Sequence, residues 1–236
     1  MNRKALHYGR GGSARPTWQA VYRRYGSDRE CLAAYLALEA SEVLGGVKPA
    51  NLLKLDGRRR PCGRNLYDLW KRHGKRLVEG SGLRVRELVD RGETLLILLY
   101  EPEALARLLA VRSVEKVLRK AGYQVPSNLE RVLSELEKRM RDDGFPHEIG
   151  VFLGYPLKDV VGFLGWARLP FTCQGPWRIY GAPAESLRLA DIHRKCRCRM
   201  AVELAMGGNP LECFRVGGYG FNFSLFPGGE GHRCAG

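Results

Sequence analysis

Thr94–Tyr100 reads Thr-Leu-Leu-Ile-Leu-Leu-Tyr and is bounded on both sides by polar residues. An uninterrupted apolar run of this length is typical of a strand buried on both faces, because a half-exposed strand shows alternation. The run is also far shorter than the roughly 20 apolar residues that cross a bilayer. The sequence therefore predicts a central strand and no membrane association.

Helical and extended segments surround this strand. Val47–Leu55 is interpreted as a short strand or an extended loop, and Trp177–Tyr180 as a third strand. Ser27 and Glu30 have capping-box spacing, which predicts a helix start, and residues 184–206 predict a long helix. We expect a helix-rich α/β fold with a small three- to four-stranded sheet flanked by helices. Helices between the strands favour crossover connections, and the strand order cannot be read.

The composition divides the chain into three parts. Residues 1–26 carry six basic side chains and no acid, and residues 8–16 are rich in glycine, which predicts a flexible basic arm. Residues 27–206 form the predicted single α/β domain. Residues 207–236 predict a Gly- and aromatic-rich tail.

The positive charge is concentrated in the first third of the chain. Residues 1–80 hold 17 Lys and Arg against 7 Asp and Glu, whereas residues 81–160 hold 13 of each. A basic patch attracts phosphate, so nucleic-acid binding is one hypothesis, although aromatic-plus-basic motifs and zinc-finger spacings are absent. The candidate residues for this role are Arg58, Arg59, Arg60, Lys71, Arg72, Lys75 and Arg76.

Seven cysteines in a chain without a recognisable export signal favour reduced thiols in a cytoplasmic protein. The weak candidates for a metal site are Cys196, Cys198, Cys213, His232 and Cys234. A C-x-C pair directs its two sulfurs to different faces, whereas most zinc knuckles use C-x2-C at a turn. We therefore expect no metal site here.

The densest pattern in the sequence is Phe145–Phe163, FPHEIGVFLGYPLKDVVGF. It predicts a turn, a buried strand over Glu148–Leu153, a Gly-Tyr turn and a helix opened by Pro156. Free backbone N–H groups after such a turn, at the positive end of a helix dipole, are a seat for an anion. This predicts a ligand site at the carboxyl end of the strand, where open α/β sheets place their ligands.

Three segments together resemble a bacterial family, frequent in anaerobes, that is known as a domain of unknown function. They are the F-P-H-E-I-G-x-F-L-G-Y-P-x-x-D-V pattern from Phe145, G-x-K-P-A-N-L at 46–52, and W-x-x-Y-G at 177–181. The resemblance covers about 31–198. Relatives often carry Cys-Ala-Pro ahead of the second segment, where this chain has Ala40-Ser41-Glu42, so no cysteine chemistry is expected there. Some relatives are encoded near flavodoxins, which implies a redox- or iron-linked physiology.

The favoured function is a small-molecule or cofactor-binding domain that takes an anionic ligand at the Gly154-Tyr155 turn. The candidate ligand-binding residues are Lys48, His147, Glu148, Gly154 and Tyr155. Three of them also have a structural interpretation: Lys48 as a surface lysine, His147 as a hydrogen-bonded residue, and Tyr155 as a cover for the sheet. The alternatives are a nucleic-acid-associated protein and a non-catalytic partner of an acidic, flavodoxin-like redox protein. The motifs identify no cofactor and do not decide between an enzyme and a binding protein.

Overall fold

The computed structural model describes residue 19 and residues 24–142 and 144–216. The helices are α1 Asp28–Glu39, α2 Ser41–Leu44, α3 Leu66–Leu69, a π-helical segment Trp70–Gly74, α4 Lys75–Glu79, α5 Pro102–Leu109, α6 Arg112–Lys120, α7 Leu129–Asp142, α8 Ile149–Phe152, α9 Leu157–Phe163, α10 Ala184–Ala205 and α11 Pro210–Cys213. The strands are β1 Ala50–Asp56, β2 Arg84–Asp90, β3 Thr94–Tyr100, β4 Phe171–Gln174 and β5 Arg178–Tyr180.

The central sheet has the strand order β1-β3-β2, and both pairings are antiparallel. β3 is the middle strand, which explains its unbroken apolar run and confirms the prediction. β2 and β3 form a hairpin, whereas β1 and β2 are joined through α3 and α4 and have β3 between them. β1 and β2 are parallel to each other, so the helix-containing connection between them is the expected crossover. The antiparallel strand β3 lies between them in the sheet.

Each face of this sheet is covered by helices. Leu95, Ile97 and Leu99 pack on one side with α1, α3 and α10, whereas Leu96 and Leu98 pack on the other with α5 to α9. The alternation follows from the two-residue period of a strand. The result is the expected helix-rich α/β fold, in which a small sheet lies between helical layers.

The predicted strand over Glu148–Leu153 is wrong. Ile149–Phe152 is one buried helical turn. Gly154 has φ +68° and closes the turn, since the N–H of Tyr155 bonds to the Gly150 carbonyl at 3.0 Å. This is a glycine C-cap of the Schellman type. A short apolar run does not distinguish a strand from a buried helical turn.

The other predicted elements agree with the structure. Ser27 caps α1 as expected: its hydroxyl accepts from the Glu30 backbone N–H at 3.2 Å and donates to the Glu30 carboxylate at 2.8 Å. α9 follows Pro156, and α10 covers the long predicted helix. The strand expected near Trp177–Tyr180 is β5, which pairs with β4 in a second, two-stranded sheet.

Buried residues lie close to both predicted boundaries of the central domain, at residues 26/27 and 206/207. Tyr25 is buried and its hydroxyl donates to the Leu204 carbonyl at 3.1 Å. Cys213 and Phe214, inside the predicted tail, are also buried. Most of the predicted arm and residues 217–236 of the predicted tail lie outside the described residues. Within the part of the chain that the structure describes, every helix is too short or too polar to cross a bilayer.

Candidate functional site: an aromatic cleft

Tyr155 brings together the three segments that carry the family resemblance. Its ring stacks on Trp177, with centroids 4.6 Å apart and planes 20° apart. The Lys48 ammonium lies 5.4 Å from the centre of the same ring, a cation–π distance. One aromatic side chain therefore connects the Lys48 turn, the α8–α9 unit and the start of β5.

Asp159 is a buried carboxylate that fixes this junction. The side chain is almost fully buried and lies in the first turn of α9. It accepts four hydrogen bonds, from Trp177 Nε1 at 2.8 Å, Ser186 Oγ at 2.6 Å, the Tyr180 backbone N–H at 2.9 Å and Lys158 Nζ at 2.7 Å. A single side chain thus ties α9 to β5 and α10.

The electrostatics of Asp159 follow from these contacts. Burial raises the pKa of its carboxyl, but the hydrogen bonds from Lys158, Ser186, Tyr180 and Trp177 outweigh burial and hold the pKa below its usual value. Lys158 supplies the compensating charge and also bonds to Ser186 and the Tyr180 carbonyl. Because its acceptor positions are occupied, we interpret Asp159 as a structural anchor.

Two glycines of the central motif allow close packing around the same junction. A Cβ on Gly162 would lie 2.7 Å from the Tyr180 ring, closer than side-chain carbons approach one another. A Cβ on Gly150 would lie 3.1 Å from Val160 and 3.3 Å from Tyr155. The glycine pattern in this segment therefore has a packing cause in addition to the turn at Gly154.

The Gly154-Tyr155 turn directs its own N–H groups inward. The N–H of Gly154 bonds to the Val151 carbonyl at 2.9 Å, and the N–H of Tyr155 bonds to Gly150. Gly154 also lies against Pro49 of the Lys48 turn. These two amides are occupied by the chain's own carbonyls, so a ligand near this turn would contact side chains instead.

Beside this turn is a cleft of about 290 Å³, hereafter the aromatic cleft. It is lined by Phe145, His147, Ile149, Gly150, Leu153, Tyr155, Asp159, Val160, Phe163, Trp177 and Arg178. The side chains of two phenylalanines, one tyrosine, one tryptophan and one histidine line this single space. Its volume is close to ligand size, since small-molecule sites have volumes of about 300–1,000 Å³.

The mouth of the aromatic cleft is both apolar and basic. Phe145 and Phe163 are 53% and 41% exposed, unusual values for such large apolar side chains. The exposed His147 ring lies edge-on to Phe163 at 5.1 Å, and the guanidinium of Arg178 lies 5.8 Å from the centre of the Phe163 ring. An aromatic rim with an adjacent guanidinium suits a ring that carries an anionic group.

The predicted ligand-binding residues have different positions relative to this cleft. His147 and Tyr155 line it, and Gly154 forms the turn beside it. Lys48 lies at the Tyr155 ring and donates to Asn51 Oδ1. Glu148 is buried away from the cleft, where it accepts from the Tyr123 hydroxyl at 3.3 Å.

Behind Lys48 is a second buried polar network. Asn51 donates to Glu42 at 3.1 Å and to the Glu39 carbonyl. Arg197 is buried and forms an ion pair with Glu39 at 2.5 Å. The K-P-A-N part of the upstream motif therefore joins α1 and α2 to the Tyr155 junction, and the Arg197–Glu39 ion pair ties α10 to α1.

The basic candidates for nucleic-acid binding are partly neutralised. Three form ion pairs with acids: Arg60 with Asp56 at 3.3 Å, Lys71 with Asp90 at 2.6 Å, and Arg72 with Asp28 at 2.6 Å. The other four are exposed and, among the residues that the structure describes, pair with no acid: Arg58, Arg59, Lys75 and Arg76.

The sulfur candidates are separated by their burial. Cys196 and Cys213 are buried, and burial raises the pKa of each thiol to about 11, so both are protonated at neutral pH. Cys198 is only partly buried. Across residues 24–142 and 144–216, no three His, Cys, Asp or Glu side chains come together as a metal site. His232 and Cys234 lie outside the described residues.

Sequence reasoning missed the anchor and the mouth of the cleft. Asp159 and Trp177 lie within the motif segments. A carboxylate and an indole in otherwise apolar segments could have indicated a buried hydrogen-bonded pair. Arg178 follows Trp177 directly. Phe145 and Phe163 gave no signal, because exposure of an apolar side chain depends on tertiary packing.

Comparison with known proteins identifies the family of this chain. Neither the curated proteins nor the solved structures give a match. A family described as "Protein of unknown function (DUF3793)" matches residues 36–213, about three quarters of the chain. This range contains every residue of the aromatic cleft and all three motif segments, and the chain belongs to this family.

Proposed function

We propose that this protein binds a small molecule with a planar apolar ring and an anionic group in the aromatic cleft. The observation that carries the proposal is the set of rings at the cleft. Tyr155 and Trp177 form a stacked wall, and Phe145 and Phe163 remain exposed at the mouth. Covering exposed rings with a planar ligand removes apolar surface from water and adds ring–ring contacts.

The charge around the cleft supports the anionic group. Arg178 and His147 lie at the mouth, while Asp159 is matched by Lys158. Among the described residues that line the cleft, Asp159 alone is acidic. A carboxylate, sulfonate or phosphate at the mouth would therefore meet a guanidinium without an opposing acid.

The original expectation of an anion at the Gly154-Tyr155 turn is refined in this proposal. Tyr155 contributes its ring, and the amides of the turn hold the helical turn together. The anion would instead meet Arg178, which directly follows Trp177 and lies beside the Phe163 ring. The proposed role is binding, with Asp159 as the residue that holds the wall in place.

A titration with anilinonaphthalene sulfonate, a planar aromatic anion, tests the proposal. We expect saturable binding of one probe per chain, weakened about tenfold by Phe163→Ala, which removes a ring contact, and about fivefold by Arg178→Ala, which removes an exposed charge contact. Probe fluorescence gives the affinity, and circular dichroism verifies that each variant is folded.

Matched variants control for loss of any exposed ring or charge. Phe171 is similarly exposed at 47% but does not line the cleft, and Arg188 is an exposed arginine of α10. Phe171→Ala and Arg188→Ala should leave the affinity unchanged. Equal affinities for all four variants would show that the probe binds elsewhere and would refute the proposal.

If the protein has a redox role, the ligand in the aromatic cleft would be a redox cofactor whose ring absorbs visible light. The absorption spectrum of freshly purified protein distinguishes such a cofactor from a colourless ligand. Visible absorption that is present in the natural chain and reduced in Phe163→Ala would place a redox cofactor in the aromatic cleft. Absorption that both proteins share equally would separate the chromophore from this site.

The alternatives rest on the exposed cations Arg58, Arg59, Lys75 and Arg76. They are the part of the basic region that stays available to a phosphate backbone or to an acidic redox protein. Ion pairs with Asp28, Asp56 and Asp90 reduce the charge of the same region. The cleft therefore supports ligand binding more strongly than this region supports either alternative.

A further inference from the structure

A second cleft of about 230 Å³ lies on the other side of Phe145 and is here called the strand-end cleft. It is lined by Lys54, Val89, Arg91, Thr94, Leu96, Met140, Gly144 and Phe145. Phe145 lines both clefts.

The strand-end cleft exists because the helical cover of the sheet is incomplete. α7 packs along β2, where Arg86 bonds to Glu137 at 2.7 Å and closes the space between helix and strand. Leu98 is fully buried beneath the helices. Leu96, two residues nearer the turn between β2 and β3, is only partly covered. The end of the sheet thus leaves an apolar floor open to solvent.

The floor of the strand-end cleft is mainly aliphatic. Val89 and Leu96 are neighbours across the β2–β3 pairing, and the buried Met140, in the last turn of α7, lines the same cleft. Unbranched methionine adapts to flexible apolar partners. This composition differs from the ring-lined aromatic cleft and suits an alkyl chain better than a planar ring.

The edge of the strand-end cleft carries two cations. Lys54 projects from β1 and Arg91 from the β2–β3 turn, and both are exposed. Neither forms an ion pair with any acid that the structure describes, and none of the described residues that line the cleft is acidic. An apolar floor with a lysine and an arginine at its edge is complementary to a chain that ends in an anion.

We propose that the strand-end cleft binds a medium-chain carboxylic acid, with the alkyl chain on Leu96 and Met140 and the carboxylate between Lys54 and Arg91. The site shares Phe145 with the aromatic cleft but needs none of its other residues. The inference therefore stands independently of the function proposed above.

Calorimetric titration of the full chain with decanoate tests this site. Each CH₂ buried on the floor is expected to tighten binding by up to about fourfold, so affinity should rise from hexanoate to octanoate to decanoate. Decanol, which lacks the charge, and the variant Lys54→Ala/Arg91→Ala should each bind about tenfold more weakly.

The controls separate this site from general charge and from the aromatic cleft. Lys75→Ala/Arg84→Ala removes one exposed lysine and one exposed arginine elsewhere and should leave decanoate affinity unchanged. Phe163→Ala should leave it unchanged as well. Affinity that is independent of chain length, or equal in the two double variants, would overturn the proposal. Loss in Phe163→Ala alone would assign decanoate to the aromatic cleft.

Discussion

Replacing Asp159 with alanine is expected to lower the free energy of unfolding by about 3–5 kcal/mol, because the buried Trp177 and Ser186 donors lose their acceptor and the partly exposed Lys158 ammonium loses its partner. Lys158, Ser186, Trp177 and the Tyr180 amide all donate to this carboxylate. A loss of this size is a large fraction of the total stability of a typical domain.

Urea unfolding followed by circular dichroism measures this effect. Asp191→Ala is the matched control, because Asp191 also accepts from two cations, Arg194 and Lys195, but on the exposed face of α10. Exposed ion pairs contribute up to about 1 kcal/mol. If both variants lose stability equally, Asp159 is not the anchor that the geometry indicates.

The same carboxylate gives stability a pH dependence of defined sign. Its pKa is lower in the folded chain than the ordinary value of 3.8, so the unfolded chain binds the proton more tightly. The contribution of Asp159 is therefore complete at pH values above 3.8 and is lost as the pH falls through the folded pKa. The stability difference between the natural chain and Asp159→Ala should shrink in acid and stay constant near neutral pH.

Gly154→Ala should be the most damaging glycine substitution at the site. A side chain in the left-handed region costs about 1–2 kcal/mol, and here the new Cβ would also lie 2.6 Å from Pro49 Cδ. Overpacking of this kind adds about 1–3 kcal/mol. The substitution would push the α8–α9 turn away from the Lys48 turn.

Gly46→Ala isolates the backbone part of this effect. Gly46 has the same φ of +68°, but a Cβ there would meet nothing within 4 Å. Thermal or urea unfolding should show the smaller loss for Gly46→Ala and the larger one for Gly154→Ala. Equal losses would indicate that contact between the two motif segments contributes nothing to stability.

The sequence predicted those elements whose patterns have one physical interpretation. An apolar run as long as Thr94–Tyr100 has to be buried on both faces, and a capping box such as that at Ser27 has few other uses. The Glu148–Leu153 prediction failed because a run of six residues fits a strand and a helical turn equally. The sequence did not predict β2, because a charged residue such as Arg86 on a strand face suggests exposure. In the structure Arg86 bonds to Glu137 on α7, a partner 51 residues away.

The candidate site shows the same division. His147 and Tyr155 were predicted from a local motif, and both line the aromatic cleft. The pairing of Asp159 with Trp177 joins residues 18 positions apart, and their contact exists only once α9 and β5 pack together. Whether Phe163 covers the core or faces a cleft is decided by the elements around it, so no sequence pattern could reveal it.

The indole N–H signals of the tryptophans give the most direct test of the central claim that the aromatic cleft binds a ring-bearing anion. Trp177 lines the cleft and donates to Asp159, whereas Trp70 is buried in the opposite core and donates to Glu87 at 2.9 Å. Each signal is assigned in a ¹H–¹⁵N spectrum by a Trp→Phe variant. During titration with anilinonaphthalene sulfonate, the Trp177 signal should shift saturably and the Trp70 signal should stay in place. A Trp177 signal that does not move while the probe binds would contradict the account.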